Sequence, residues 1–525
     1  MRAMPLYLGL DSSTQSLTAT VIEATPDARR IVFQHSIVFD QELPHYQTTN
    51  GVHRHEDPLV VTSPPLMWVD ALDRMMEVIS RAKAFDASGI AAIGGCAQQH
   101  GTVYLNESAG STLRSLDAAR PLADQLRGIF SRPESPIWMD ESTGAQCAAL
   151  AQALGGADAV ARLTGSRPTA RFAGPQIGKF AREDPGAYAR TRRIHLVSSF
   201  MASLLLGTEA PIEPGDGAGM NLMDIRNLRW DGTIVEATAP DLLARLPAIR
   251  LSSSPVGELA TYWRERYGLP AAQLVPWTGD NPSSLIGAGL VREGDIGISL
   301  GTSDTVFGPV DAVPDDPGGA NVFGSPAGGY MLLVCFRNGS LAREHIRDAY
   351  GMDWTAFSRA LTTTPPGSGG GLMLPWVEAE ITPTVAARGV RRQNLTPADG
   401  PRNVRALVEG QMMAMANHWS ALSPRRVARI QATGGASENR DILQVMADVF
   451  GADVQPAAHT SAASLGGALR ALQAHQSLDW SEAVRGFTES TARPLTPVSE
   501  HTAIYEQLRR RYAAFEAEET SRLTV

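Results

Sequence analysis

Apolar and polar positions along this chain repeat one arrangement twice. Leu8-Gly9-Leu10-Asp11 runs through Ser12-Ser13-Thr14-Gln15-Ser16 into Leu17-Thr18-Ala19-Thr20-Val21. Past the middle, Ile296-Gly297-Ile298-Ser299-Leu300 runs through Gly301-Thr302-Ser303-Asp304 into Thr305-Val306-Phe307. Each is a short apolar strand, a turn of small hydroxyl-bearing residues and a second apolar strand, which predicts a β-hairpin. Such a tip aims backbone N–H groups and hydroxyls at one spot with no bulky side chain in the way. Phosphate oxygens suit those donors. Two such hairpins predict two related domains facing one nucleotide from opposite sides.

The rest of the pattern fits an α/β chain. Leu66, Val69, Leu72, Met75, Met76 and Ile79 recur at helical spacing between Pro65 and Lys83. Ile90–Ala97 reads as a buried strand ending in Gln98-Gln99-His100, a position where ligands bind in open α/β sheets. Pro133–Pro136 reads as a turn leading into Ile137–Asp140. Val427–Ala432 reads as a strand that breaks at Thr433-Gly434-Gly435-Ala436-Ser437. Glu438-Asn439-Arg440 then opens a helix, a strand–glycine turn–helix order suited to contacting a nucleotide. Pro365–Gly371 reads as a flexible loop, either a mobile cleft edge or a surface connection. From Glu500 to Glu518 one amphipathic helix is expected, with Ile504, Leu508, Tyr512 and Phe515 on its apolar face. A domain junction is expected near 265–290, dividing the chain into 1–275 and 276–525.

Composition narrows the chemistry. The 525 residues suffice for two large cores, and a net charge of −9 argues against a broad nucleic-acid footprint. Lysine occurs only at Lys83 and Lys179. Gly174–Phe180 is superficially like a P-loop, but Ala173 and Phe180 stand where that motif needs Gly and Ser/Thr. Three widely spaced cysteines, Cys96, Cys147 and Cys335, suit neither a disulfide framework nor a metal site. Cys96 and Cys335 read as buried free thiols. No secretory signal or membrane-spanning apolar run is visible, so a soluble cytoplasmic protein is expected.

Several residues are candidates for chemistry. Asp11, at the mouth of the first hairpin, can hold water around a phosphate-bridging Mg²⁺, which favours one or two carboxylates with waters and phosphates. Asp216, in the Gly-rich stretch Pro214–Gly219, can take a proton from a substrate hydroxyl. Glu213 and Asp280 are rival bases. Gln98–His100 and Trp277–Asn281 bring amide, imidazole and carboxylate groups that suit a polyol or sugar. His53 and His55 have the spacing of a metal pair, without an evident third ligand.

Taken together these stretches resemble the FGGY carbohydrate kinases, over about residues 6 to 475. Gly51-Val52-His53-Arg54-His55, Val61-Thr62-Ser63-Pro64, Gln98-Gln99-His100-Gly101 and Leu163-Thr164-Gly165-Ser166-Arg167 carry the likeness. So do Leu196–Phe200, Asp216–Leu222, Thr278-Gly279-Asp280-Asn281-Pro282 and Phe336–Ser340. The resemblance implies two ribonuclease-H-like domains of the actin/hexokinase/Hsp70 type around an ATP cleft. It implies transfer of phosphate from ATP, with Mg²⁺, to a small sugar, D-xylulose. By position it implies Asp216 as catalytic base, and His100, Arg171, Asp280 and Asn281, with Gln99, around the sugar. It implies Asp11, Ser13, Thr14 and Gln15 in the first phosphate motif, and Gly301, Thr302 and Ser303 in the second. Trp354, Gly434, Gly435, Ala436 and Asn439 fall around the adenosine. No nucleic-acid or membrane partner is implied, and the expected state is a monomer or homodimer. The residues leave open another ketose or a polyol, such as ribulose or an alditol. They also leave open a non-catalytic sugar- or nucleotide-binding regulator, whose sign would be loss of Asp216 or Asp11. Both are present.

Overall fold

The computed structural model describes residues 4–25, 28–458 and 461–524, so Met1, Arg2 and Ala3 lie outside the described residues. Its first sheet is built on β1 (Leu6–Ser12), β2 (Ser16–Ala24), β3 (Arg29–Val38) and β4 (Ile90–Ala97). β1 and β2 form the expected hairpin, β3 extends it antiparallel, and β4 lies parallel to β1. Short strands Gln273–Leu274 and Thr278–Gly279 continue parallel to β4. The second sheet contains β5 (Asp295–Leu300), β6 (Asp304–Val310), β7 (Asn321–Gly324), β8 (Tyr330–Phe336), β9 (Arg429–Thr433) and β10 (Asp453–Pro456). Their order is β7-β8-β6-β5-β9-β10. β5–β6 and β6–β8 pair antiparallel, while β9 and β10 are parallel to β5.

The first sheet thus has three antiparallel strands and the second four, each followed by parallel ones, the ribonuclease-H-like arrangement. The central strand β1 is buried along its whole length, which is why its sequence is nearly continuous in apolar residues rather than alternating. Parallel strands require crossover segments, and helices supply them. These include α1 (Pro65–Ser80), α2 (Val197–Leu206), α3 (Asp280–Gly287), α4 (Ser340–Ala349) and α5 (Trp354–Thr363). Further along are α6 (Gly400–Leu422), α7 (Arg440–Phe450), α8 (Ala462–Gln476) and α9 (Ser499–Thr524). α1 begins on proline at its first turn, where the missing N–H costs nothing. It buries Val69, Leu72, Met75, Met76 and Ile79 as the spacing predicts.

Two expectations change. On α9 the buried stripe is Tyr505, Leu508, Tyr512 and Phe515, while Ile504 is 40% exposed. The stripe enters one residue later because Tyr505 donates its hydroxyl to the buried carboxylate of Glu409 at 2.6 Å. The glycine-rich loop at 365–371 is held, not flexible. Glu409 accepts from Gly367 N at 2.8 Å and from Ser368 Oγ at 2.9 Å, and Ser368 is fully buried.

α8 follows the second sheet in sequence yet packs on the first. It shares a cluster with Tyr7, Ile22 and Ala92 through Leu465, Ala468, Leu469 and Leu472. The approach is backbone to backbone. A Cβ at Gly9 would sit 1.9 Å from Ser464 O, and one at Gly94 2.2 Å from Gly467 O. On the other side of α8, a Cβ at Gly287 of α3 would sit 1.8 Å from Ala462 O. A side chain at any of these points forces the layers apart. Gly9→Ala is therefore expected to destabilise by about 3 kcal/mol. Gly232→Ala, with open space around its Cβ, is expected to stay within about 0.5 kcal/mol. Urea unfolding of both variants checks this, and an unchanged midpoint for Gly9→Ala contradicts the contact.

Candidate active site

The carboxyl ends of the first sheet collect the polar residues picked out above. Asp216 lies in the single turn Pro214–Gly217 and is fully buried. Ser198, on α2, donates its hydroxyl to Asp216 Oδ2. Oδ1 has no partner among the described residues. Burial, and then the charges of Asp280 and Glu213, push the Asp216 carboxyl well above the ordinary range, with Ser198 opposing. The rival carboxylates are each held by donors on one oxygen. Glu213 accepts from Gly215 N at 2.8 Å and from Thr278 Oγ1. Asp280 Oδ1 accepts from Asn281 N at 2.9 Å.

His100 follows the end of β4 in the left-handed region, at φ 73°. A non-glycine residue there is strained and must be held by its surroundings. Its ring stacks on Phe172, with centroids 4.2 Å apart. Nδ1 lies 3.0 Å from Gly219 O. A carbonyl only accepts, so Nδ1 carries the proton and Nε2 is left as an acceptor. Burial, aided by the charge of Arg171, pushes the His100 pKa down to about 3, so the ring is neutral at physiological pH. Arg171 is half-buried and has no hydrogen bond or ion pair among the described residues. Gln99 is spent on the protein: Nε2 donates to Gly215 O at 3.2 Å, and Oε1 accepts from Asn281 Nδ2 at 2.9 Å. It ties the turn of Asp216 to Asn281.

At the first hairpin tip, Ser13 Oγ donates to Asp11 Oδ2 at 2.6 Å, and the Cys96 thiol donates weakly to Oδ1 at 3.4 Å. Thr14 bonds Gln98 at 3.3 Å and receives the indole N–H of Trp138 at 2.9 Å. Gln15 is exposed. At the second tip Thr302 and Ser303 are exposed, while Gly301 O accepts from Ser340 N and Oγ at 2.8 and 2.6 Å. Asp304 anchors this hairpin in a fully buried bidentate pair with Arg343, at 2.8 and 2.9 Å. Breaking such a pair from one side leaves a stranded charge.

Beside the second hairpin lies a cleft of about 890 Å³, lined by Ser284 and Gly287 of α3, Thr433, Gly434, Gly435 and Ala462. Gly434 (φ 83°) leaves room for Leu300 O, 2.5 Å from where its Cβ would stand. Asn439 caps α7 through Asp441 N and Ile442 N, and its amide donates to Ser358 on α5 at 2.6 Å. Ala436 packs against the C-terminal core. Trp354, at the start of α5, is 44% exposed under the Arg347 guanidinium, 4.5 Å from its ring centroid. Neither Trp354 nor Asn439 is among the residues lining this cleft.

α3 joins the two regions: Asp280 and Asn281 begin it at the sugar-side cluster, and Ser284 and Gly287 face the cleft. The model of the FGGY family's N-terminal domain matches residues 134–287, and that of its C-terminal domain matches 296–475. The chain is 43% identical to a xylulose kinase of Rattus norvegicus, over 97% of this chain and 96% of that one.

The chain belongs to the FGGY family of carbohydrate kinases.

A xylulose kinase of Arabidopsis thaliana is 42% identical, over 89% of this chain and 86% of its own. The solved structure of a xylulose kinase from Rhodospirillum rubrum shares the fold, with a TM-score of 0.81 at 18% identity, covering 99% of this chain and 100% of that one. In this FGGY kinase the stretch at 174–180 lies within the helix Ala173–Glu183, and Lys179 donates to Ser142 Oγ at 2.7 Å. His53 contacts Glu134 and Tyr46 O, and His55 contacts Thr62. Among the described residues no group of three or more His, Cys, Asp or Glu could hold a metal ion, and no helix is long and apolar enough to cross a membrane.

The Ser198 contact and the Arg343 brace escaped the sequence reading, because each partner is far away along the chain. Burial together with the charge of Asp11 pushes the Asp280 pKa up to about 7. The unfolded carboxyl ionises near 4, so between about pH 4 and 7 the folded state binds more protons and loses stability as pH rises. Asp280→Asn is therefore expected to melt higher than the parent at pH 8, with the gap closing by pH 4. Thermal melts across that range check it, and a constant gap contradicts the shift.

Proposed function

We propose that this carbohydrate kinase transfers the γ-phosphoryl group of ATP to the terminal hydroxyl of D-xylulose, giving D-xylulose 5-phosphate, with Asp216 as general base. One observation carries the mechanism: Asp216 Oδ1 is buried and has no partner among the described residues, while Ser198 holds Oδ2. A free acceptor oxygen inside a buried turn is positioned to take a hydroxyl proton. Its upward shift moves it toward the range where a base is effective near neutral pH. The substrate reading is supported by the near-full-length similarity to the rat xylulose kinase.

The sugar binds against His100, Arg171, Asp280 and Asn281. His100 Nε2 accepts one hydroxyl, and the unpaired Arg171 guanidinium donates to another. Phosphoryl transfer asks little covalent help, so positioning and charge neutralisation supply most of the acceleration. The hairpin residues Ser13 and Thr14 on one side and Thr302 and Ser303 on the other donate to phosphate oxygens. Gly434 and Gly435 leave space for the nucleotide, with Ala436, Asn439 and Trp354 behind and beside it.

Mg²⁺ fits this donor set. Asp11 and Asp280 are close enough for the charge of one to raise the other, and a divalent cation relieves that excess. Asp11 would hold the ion through water. When bound, the ion would neutralise charge on the phosphates. The residues up to 275 carry His100, Arg171, Asp216 and the first hairpin, and those from 276 carry Asp280, Asn281, the second hairpin and the nucleotide cleft, as a monomer or homodimer.

Asp216→Ala is expected to lower turnover by about 10²- to 10⁴-fold with the fold intact. Release of ADP from Mg-ATP checks it, with D-xylulose, D-ribulose and an alditol compared by kcat/KM. Near-normal turnover of Asp216→Ala overturns the base assignment, and a preference for another sugar overturns the substrate.

A further inference from the structure

The turn that carries Asp216 has a support of its own. Glu213 is 1% exposed and caps the turn through Gly215 N, while Thr278 Oγ1 donates to the same carboxylate oxygen. A Cβ at Gly215 would lie 2.7 Å from both Glu213 Oε2 and Thr278 Oγ1, so the assembly has no slack. A carboxylate buried this deeply needs a countercharge. The cation whose field reaches it is Arg470 of α8, which is fully buried. Arg470 donates to Gly95 O at 2.9 Å, to Pro276 O and to Ser252 Oγ at 2.8 Å. Ser252 is buried as well, and Pro276, whose carbonyl Arg470 holds, lies two residues before Thr278, the donor to Glu213. The chain of contacts therefore runs from Arg470 of α8, oriented by Ser252, through the segment Pro276–Thr278 and Glu213 to the turn of Asp216. Two turns earlier, α8 lines the nucleotide cleft at Ala462.

We propose that Glu213, Ser252 and Arg470 are positioning residues for the phosphoryl transfer, holding the Asp216 turn in register with the helix that borders the nucleotide cleft. This rests on the reading of Asp216 as the base. The three act on Asp216 through the backbone of its turn. A small displacement of a reacting group lowers turnover more than it lowers substrate affinity. Glu213→Gln and Arg470→Met are each expected to reduce kcat on the order of 10- to 100-fold, with the sugar KM within about twofold. Because the two residues serve one assembly, the double variant is expected to lose no more than the worse single one.

The experiment measures kcat and sugar KM of the full-length variants by ADP release with D-xylulose and Mg-ATP, alongside circular dichroism. A folded Glu213→Gln with near-normal kcat overturns the proposal, as do single losses that multiply in the double variant. Ser252→Ala removes only a hydroxyl and keeps the test open if the charge variants do not fold. Its expected kcat loss is about threefold or more at constant KM, since one hydrogen bond of the assembly is worth roughly 1 kcal/mol. An unchanged kcat overturns the proposal. Asp216→Ala, run in parallel, separates the two readings. Turnover retained there overturns the base assignment and this proposal with it. Turnover lost there with Glu213→Gln unaffected overturns the positioning assembly alone.

Discussion

The close passage of α8 across the first sheet is the constraint on which the rest of the molecule depends. The helix reaches the sheet only because Gly9, Gly94 and its own Gly467 have no side chains at the crossing. α3 lies against its other side through Gly287 and Gly466. Both helices border the cleft beside the second hairpin at one end. At the other, α3 begins with Asp280, and α8 carries Arg470 beneath Pro276 and Gly95. Two sheets that would otherwise be separate bodies thereby share a backbone-to-backbone core. The two hairpin tips and the turn of Asp216 are held in one frame.

That frame carries an electrostatic load. Asp11, Asp216 and Asp280 sit together at the ends of the first sheet, and burial pushes all three upward. Unpaired carboxylates in a protein interior cost stability. Each is held by a small number of short-range donors: Ser13 and Cys96 for Asp11, Ser198 for Asp216, and the amides of Asn281 for Asp280. The second hairpin carries the opposite solution, a carboxylate fully neutralised by Arg343. A paired Asp304 makes a rigid anchor. The unpaired group around Asp216 keeps acceptor capacity in reserve, which is what chemistry on a sugar hydroxyl requires.

Much of this was legible along the chain wherever the signal is local. Hairpins declare themselves by apolar runs flanking small residues. The helix at 65–80 declares itself by its spacing, and the α7 start by Asn439, which does cap it. The site was legible as types of residue at strand ends. Its wiring was not, because the partners are distant: Ser198 to Asp216, Gln99 to Gly215 and Asn281, and Arg470 to Ser252. The loop at 365–371 reads as flexible from its glycines alone, since nothing local reveals that Glu409 lies beneath it. Ile504 and Tyr505 are both apolar enough for the stripe of α9, and only the buried Glu409 chooses between them.

The sequence by itself determined the two hairpins, the alternation of strands and helices, and the set of groups capable of phosphoryl transfer to a sugar. These follow from periodicity and turn chemistry, which act over a few residues. Only the tertiary structure decided how each carboxylate is held. Asp216, Glu213 and Asp280 are equivalent as letters. Glu213 accepts from Gly215 and Thr278 and caps its own turn, Asp280 accepts from Asn281, and Asp216 keeps one buried oxygen unpartnered among the described residues. Hydrogen-bond capacity is finite, and how it is spent depends on neighbours that folding brings from outside the local stretch, such as Ser198 for Asp216 and Thr278 for Glu213.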